Sequence, residues 1–386
     1  MKTIKLKEAI EILTPKAFSA TIKPVSWHCN LRCTYCYYLD KEQIYSDSYN
    51  IMSHEILEEC IKQYLDCNNS SSVCFTWHGG EPLLAGIDFF KKAVELERVH
   101  NRQNKKIENS IQTNGTLLTE EWCRFFKSNG FLVGVSIDGP KSVHDTYRLS
   151  RGRLSAFEKT IVGIELLKKF EVDFNTLSVV SRASEGRGKE IYNYLKSIGS
   201  GYMQFLPAAD YVYSNGCGEP AAWSVSAEGY GRFLTDIFDE WIVRDVGEVF
   251  VQLFDLTLAA FAGMEATVCA YRERCGENIA IEHNGDIFSC DHFVYPKYKI
   301  GNICKEGLNA ALVSAEHVRF GLNKSYTLPK ECLRCEYLFA CRGECPKHRH
   351  LILDDGEKKF LLCEGIKMFY KHSAPYMESM ARQLIG

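Results

Sequence analysis

Between residues 18 and 210, short apolar runs rich in β-branched side chains alternate with stretches of helical spacing. The runs fall at 20–25, 73–77, 109–113, 132–137, 173–180 and 202–207, and such runs predict strands. Ile56, Leu57, Cys60, Ile61, Tyr64 and Leu65 repeat with the 3.6-residue period behind Ser53, which predicts an N-capped helix. Thr119 stands in the same relation to Trp122, Phe125 and Phe126. Ser155-Ala156-Phe157-Glu158 fits a capping box, with Phe157, Ile161, Ile164 and Leu167 on one face of the helix behind it. Strands alternating with helices imply an α/β fold built on a parallel sheet. Six such units make a partial (β/α)6 barrel rather than a closed eight-fold one, with its chemistry at the C-terminal ends of the strands.

The alternation stops after residue 210. Asn215-Gly216-Cys217-Gly218-Glu219-Pro220 reads as a breaker-rich loop, and helical segments are expected at 227–245 and 249–263. Beyond Cys269 the chain is turn-rich and dense in cysteine. We place a boundary near residue 263, giving a barrel with connecting helices over 1–263 (core about 18–210) and a second domain over 264–386. A cysteine-dense segment has little apolar core of its own and depends on metal.

Composition narrows the picture. A chain of 386 residues with 46% hydrophobic positions suits two globular domains. With 46 basic and 49 acidic residues, it has no electrostatic footprint for nucleic acid or an anionic membrane. No signal peptide and no membrane-spanning run is evident, so the expected compartment is the cytoplasm. There thiols stay reduced, so 17 cysteines, an odd number, point to metal sites rather than a disulfide framework.

The first cluster is Cys29-Asn30-Leu31-Arg32-Cys33-Thr34-Tyr35-Cys36. One loop offers three thiolates, whereas a structural zinc site takes four ligands. Three cysteines on an iron–sulfur cubane leave one iron open, and such clusters reach potentials low enough for one-electron cleavage of a sulfonium. A half-formed zinc site or three buried cysteines is the bland alternative. This spacing, with an aromatic residue before the last cysteine and a strand just ahead, resembles the radical SAM superfamily. His78-Gly79-Gly80-Glu81-Pro82 after the second strand, Gln112-Thr113-Asn114-Gly115 after the third, and Ser136-Ile137-Asp138-Gly139-Pro140 with Arg148 after the fourth stand where that family carries its supporting motifs. The resemblance implies that Cys29, Cys33 and Cys36 hold a [4Fe-4S] cluster. It implies further that Tyr35, Gly80, Ser136, Arg148 and Ala209 contact S-adenosylmethionine (SAM).

Eight further cysteines fall at 269, 275, 290, 332, 335, 341, 345 and 363, enough for two fully ligated clusters. A zinc ribbon on part of the set is the competing reading. The run Cys332-x2-Cys335-x5-Cys341-x3-Cys345 with Cys363 is similar to the SPASM domain of peptide-modifying radical SAM enzymes. That resemblance implies interleaved ligation: Cys269, Cys275, Cys290 and Cys345 for one auxiliary cluster, and Cys332, Cys335, Cys341 and Cys363 for the other. With the first site this makes three [4Fe-4S] clusters. The cysteines at 60, 67, 74, 123, 217 and 304 match no ligand pattern, and the default for them is burial as small hydrophobes.

The likeness extends from about Ile22 to about Met377. It is carried by Thr76-Trp77-His78-Gly79-Gly80-Glu81-Pro82, Gln112-Thr113-Asn114-Gly115-Thr116-Leu117, 132–140, Gln204-Phe205 and Cys290-Asp291, and is to the anaerobic sulfatase-maturating enzymes. The resemblance implies oxidation of one Cys or Ser of a sulfatase to Cα-formylglycine, through a 5′-deoxyadenosyl radical that removes a Cβ hydrogen. It implies Asp291 as the base, for which apolar walls are expected to raise the pKa; the bland alternative is an Asp capping a turn beside a ligand. Its neighbour His292 reads as support for a cluster. Tyr38 and Gln112 are candidates for holding the peptide, and a flavodoxin or ferredoxin is the implied electron donor. A SPASM enzyme acting on another ribosomal peptide shares all the ligands, but many of those carry an extra N-terminal peptide-binding domain, and only about twenty residues precede the first strand here. A non-enzymatic protein stabilised by clusters or zinc explains the C-terminal cysteines but not a three-cysteine loop followed by Gly-Gly-Glu-Pro.

Overall fold

The computed structural model describes residues 17–45, 51–214 and 217–385. Six parallel strands lie side by side in chain order: β1 (Ser19–Lys23), β2 (Ser72–Trp77), β3 (Lys106–Thr113), β4 (Phe131–Ser136), β5 (Phe174–Val180) and β6 (Tyr202–Pro207). The crossovers carry α1 (His54–Cys67), α2 (Ile87–His100), α3 (Glu120–Asn129), α4 (Lys141–Tyr147), α5 (Phe157–Lys169) and α6 (Gly188–Ser197). Ser53 and Thr119 cap α1 and α3 as expected, accepting from the main-chain N–H of Ile56 and Trp122. The core between sheet and helices mixes aliphatic and aromatic side chains: Trp77 of β2 meets Phe89 and Phe90 of α2 edge-on. The indole N–H of Trp77 donates to Asn109 of β3 at 2.7 Å.

The barrel is open because β1 and β6 never meet. Past β6 come a hairpin of β7 (Tyr211–Ser214) and β8 (Cys217–Pro220), then α7 (Ala227–Arg244), β9 (Phe250–Val251) and α8 (Gln252–Phe261). β9 adds to the free edge of β6. On the other side β10 (Asn278–Glu282) pairs in parallel with β1, and the antiparallel strands β11 (Asp286–Phe288) and β12 (Lys299–Asn302) follow. The cysteine-rich segment thus adds three strands to a ten-stranded sheet, with β12 at its edge, and the C-terminal end of β10 lies on the same side as those of β1–β6. The last helix, Cys363–Ile385, packs on α7.

Four expectations need correction. Ser155 closes no capping box: its hydroxyl donates to Asp145 at 2.6 Å, and Glu158 pairs with Lys141. Residues 217–220 form a strand of a hairpin rather than loop; Asn215 and Gly216 lie outside the described residues. The segment 249–263 opens with a strand, since Phe250 and Val251 extend the sheet before α8 begins. Of the cysteines without a ligand pattern, Cys60 and Cys123 are buried but Cys304 is exposed, and the side chain of Cys217 lies outside the described residues. Among the described residues no helix is long and apolar enough to cross a membrane.

Candidate active site

The loop of Cys29, Cys33 and Cys36 follows β1 and is pinned from two directions. Main-chain N–H groups of Arg32 and Thr34 donate to the carbonyls of Leu149 and Tyr147, so the loop runs along the segment that carries Arg148. From the end of β3, Asn114 Nδ2 donates to Asn30 at 2.8 Å and lies 3.7 Å from Cys29 Sγ. The turn after β2 completes the clamp. Glu81 N–H donates to the carbonyl of His28 at 2.8 Å, and a Cβ on Gly80, at φ +52°, would stand 1.9 Å from that carbonyl oxygen. Gly80 is therefore glycine because the cysteine loop lies on it. Glu81 is fully buried and binds three donors: Leu83 N–H, Thr113 Oγ1 and Asn114 N–H. Burial outweighs these bonds and pushes its carboxyl up to about 7.

Burial pushes the thiols of Cys29 and Cys33 up to about 12. Three such thiols converging on one loop stay protonated unless a cation takes the protons' place, which is the chemistry of a metal or cluster site.

At the ends of β3 and β4, Gln112 Nε2 donates to Ser136 Oγ at 3.0 Å, leaving the Ser136 hydroxyl proton free to face a ligand. Asp138 joins the other residues. It accepts from Tyr35 Oη, from Arg148 Nε at 3.0 Å and from the N–H of Val179 at 3.0 Å. The Arg148 guanidinium lies 5.4 Å from the centre of the Tyr35 ring. Asp138 locks Tyr35 and Arg148 against the cysteine loop; it lies within a motif read from the sequence but carries no role there. Ala209, just past β6, is buried.

Asp291 follows Cys290 and sits at the C-terminal end of β1. Its carboxylate forms an ion pair with Lys23, the last residue of β1, whose side chain is 0% exposed. Tyr37 Oη donates to the same carboxylate at 2.5 Å. Lys23 Nζ also lies 3.0 Å from His78 Nδ1; the ammonium donates, so His78 is a neutral acceptor there, and burial followed by Lys23 lowers its pKa to about 3. The expected rise in the Asp291 pKa does not occur. Burial, the largest single influence, pushes the carboxyl up, but the combined pull of the neighbouring groups, Lys23 first among them and then His78 and His292, holds it well below the usual carboxylate range. Tyr38 is buried, donates to Glu282 at the end of β10 and lies under Lys23, 4.4 Å from ring centre to Nζ. Its hydroxyl is therefore engaged within the protein. Lys23, Tyr37 and His78 carry no role in the sequence reading; the one signal is a lysine near the end of an otherwise apolar strand.

The C-terminal cysteines gather in two groups. Cys290 lies within electrostatic reach of Cys269 and Cys275, and Cys345 of Cys290 and Cys275. His292 Nδ1 is 3.6 Å from Cys345 Sγ and its ring packs on Tyr37. Cys332, Cys335, Cys341 and Cys363 line one cavity with Tyr337 and Tyr370. Each group offers four thiols, the set that a cubane takes.

Comparison with known proteins follows this geometry. Residues 25–193 match the radical SAM superfamily, and residues 269–336 match an iron-sulfur cluster-binding domain. A serine-type anaerobic sulfatase-maturating enzyme of Bacteroides thetaiotaomicron is 43% identical over 385 residues, covering 96% of this chain and 93% of the relative. A cysteine-type anaerobic sulfatase-maturating enzyme of Clostridium perfringens (strain 13 / Type A) is 33% identical, covering 95% of this chain and 99% of the relative. The solved structure of native anSMEcpe with bound AdoMet and Cp18Cys peptide superposes with a TM-score of 0.86 at 33% identity, over 95% of this chain and 99% of that one. Streptococcus suis SuiB bound to its precursor peptide SuiA, at 18% identity and a TM-score of 0.60 over 90% of this chain and 76% of that one, shares the fold alone. Likeness at this level along almost the entire length of both chains leaves one assignment: the chain belongs to the anaerobic sulfatase-maturating enzymes of the radical SAM superfamily.

Proposed function

We propose that this enzyme oxidises the Cβ of a cysteine or serine in a sulfatase polypeptide to Cα-formylglycine, with Asp291 as proton acceptor. In this reading Cys29, Cys33 and Cys36 hold the cluster that binds SAM, with Tyr35, Gly80, Ser136, Arg148 and Ala209 around the cofactor. Cys269, Cys275, Cys290 and Cys345 hold one auxiliary cluster; Cys332, Cys335, Cys341 and Cys363 hold the other. Bound, these groups supply a hydrogen-abstracting 5′-deoxyadenosyl radical and an exit for one electron, while the protein orients and deprotonates. A cysteine target that loses a Cβ hydrogen atom, its thiol proton and one electron becomes a thioaldehyde, and water converts it to the aldehyde with release of hydrogen sulfide. A serine target reaches the aldehyde directly by the same losses.

The observation that carries the reading is the placement of Asp291. Its carboxylate is 18% exposed, ionised through Lys23 and aimed by Tyr37, a residue adjacent to Cys36. The ion pair keeps the carboxylate deprotonated and positioned, at a proton affinity lower than that of an ordinary carboxylate. Gln112, at the barrel mouth beside Ser136, contributes to holding the peptide, and the buried Tyr38, bonded to Glu282 and lying under Lys23, supports the Asp291 side of the mouth. The electron donor is a small protein of the flavodoxin or ferredoxin class, and the enzyme works in the cytoplasm.

The test is anaerobic reconstitution with iron and sulfide, followed by dithionite, SAM and peptides carrying Cys-x-Pro-x-Arg or its serine counterpart. Formylglycine by mass spectrometry, with one 5′-deoxyadenosine per product and loss on Cys33→Ala, is the expected result. SAM cleavage with both peptides untouched would overturn the substrate assignment.

A further inference from the structure

Two buried cations sit among the C-terminal cysteines with no carboxylate within ion-pair distance among the described residues. Lys324 is 0% exposed, and its Nζ donates to the carbonyls of Cys269 at 2.7 Å and Ala270 at 2.6 Å. Arg349 is 5% exposed; it donates to the carbonyls of Gly343 at 2.9 Å, Lys324 at 2.8 Å and Glu344 at 3.3 Å, and to Thr327 Oγ1 at 3.3 Å. Every one of these acceptors is neutral, and among the described residues neither side chain forms an ion pair. Glu344 lies within electrostatic reach of both cations and supplies part of their counter-charge, but it is itself engaged by His348 Nδ1 and by the N–H of Cys345.

A buried charge needs a counter-charge. Here the surroundings name it. Lys324 grips the main chain of Cys269. Arg349 bridges the two groups: Gly343, whose carbonyl it holds, lines the cavity of Cys332, Cys335, Cys341 and Cys363, and Glu344 directly precedes Cys345. A cubane on four thiolates is anionic, and reduction adds a further negative charge. Net charge and hydrogen bonding around a cluster set its potential.

We propose that Lys324 and Arg349 raise the reduction potentials of the auxiliary clusters, Lys324 acting on the cluster of Cys269, Cys275, Cys290 and Cys345, and Arg349 on both. The pair biases the C-terminal domain toward accepting the electron that the oxidised residue gives up. This rests on the assignment of the eight cysteines to two clusters, so the experiment examines that assignment first. In a Cys29→Ala/Cys33→Ala/Cys36→Ala background only the auxiliary clusters load, and iron, sulfide and EPR spectra of that protein test the assignment by themselves.

Mediated redox titration of the same background, followed by EPR, then tests the cations. Lys324→Met is expected to move one transition and Arg349→Met both. Each shift is roughly tenfold in the reduced-to-oxidised ratio toward the oxidised form, about 59 mV lower for a one-electron couple. Lys324→Arg and Arg349→Lys, which keep the charge, are expected to titrate close to the parent. Glu344→Gln, which removes a buried negative charge from the same pocket, is expected to shift the ratio the other way. Loaded neutral variants that titrate with the parent, or charge-keeping variants that move as far as neutral ones, overturn the proposal. If the Met variants fail to load iron, Lys324→Gln and Arg349→Gln, which keep a donor for the same carbonyls without the charge, decide: a lowered potential supports the proposal and an unchanged one overturns it.

Discussion

Lys23 and Asp291 form an ion pair across the seam between the first barrel strand and the cysteine-rich segment. The lysine is wholly enclosed, with His78 and the rings of Tyr38 and Tyr37 also around its ammonium. Replacing Lys23 by Met leaves the part-buried Asp291 carboxylate without its cation, a loss below the about 3–5 kcal/mol of fully buried pairs. The carboxyl then gains proton affinity and is no longer fixed toward the substrate. Formylglycine yield should fall at least about tenfold while SAM is still cleaved to 5′-deoxyadenosine. Mass spectrometry of the peptide and chromatography of the nucleoside read the two quantities separately. An unchanged ratio of aldehyde to 5′-deoxyadenosine would remove Lys23 from the mechanism.

Gly80→Ala tests the clamp on the cysteine loop. The added methyl would lie 1.9 Å from the His28 carbonyl oxygen, and backbone on both sides leaves little room to yield. Iron content should drop by about one cluster in three, with auxiliary EPR signals intact. Full iron loading in this variant would show that the turn and the loop can separate.

Asp138 gathers Tyr35, Arg148 and the N–H of Val179. Asp138→Ala leaves a buried guanidinium unpaired, and SAM affinity measured by equilibrium dialysis should weaken at least about tenfold. Affinity equal to that of the parent would mean that Arg148 needs no orienting partner.

Glu97 on α2 supplies a pH dependence. It is 3% exposed, accepts from Asn109 at 2.9 Å, and burial raises its carboxyl to about 7. Its pKa is higher folded than unfolded, so the folded state binds the extra proton. Its penalty is absent below the unfolded value, grows as pH rises from about 4.5 to 7, and levels off near 3 kcal/mol above that. Glu97→Gln should therefore change stability little at pH 4.5 and raise it at pH 8. Anaerobic thermal melts at both pH values check this, and a gain of equal size at both would contradict it.

The six barrel strands are readable in the sequence because burial leaves short β-branched runs, and the run at 202–207 coincides with β6. α4 is not, since seven residues give too few turns for a period to emerge. The hairpin of β7 and β8 also escapes: Asn215-Gly216 is a strong turn signal, but Val212 and Tyr213 point to the surface, so no alternation toward a core marks the flanks. The box at Ser155 does not close because Asp145 and Lys141 engage its two side chains, although the Ser155 hydroxyl still accepts from the N–H of Phe157 at 3.3 Å. At the site, cysteine spacing is local and therefore visible. The groups that orient the chemistry are not: Lys23 reads as an ordinary exposed lysine until residue 291 arrives beside it, and Lys324 and Arg349 acquire meaning only among cysteines distant in the chain.

The pairing of β10 with β1 has a consequence for biosynthesis. On a nascent chain β1 is made early and its outer edge has no neighbour until residue 282 has left the ribosome, on the order of tens of seconds later at ordinary elongation rates. An open edge with free N–H and C=O groups invites pairing with other chains, and shortness and a terminal lysine are the usual protections. β1 has both: it is five residues long and ends in Lys23. The charge that guards the unfinished barrel becomes the counter-ion of Asp291 once β10 has closed against it, so translation order converts a solubility device into part of the active site.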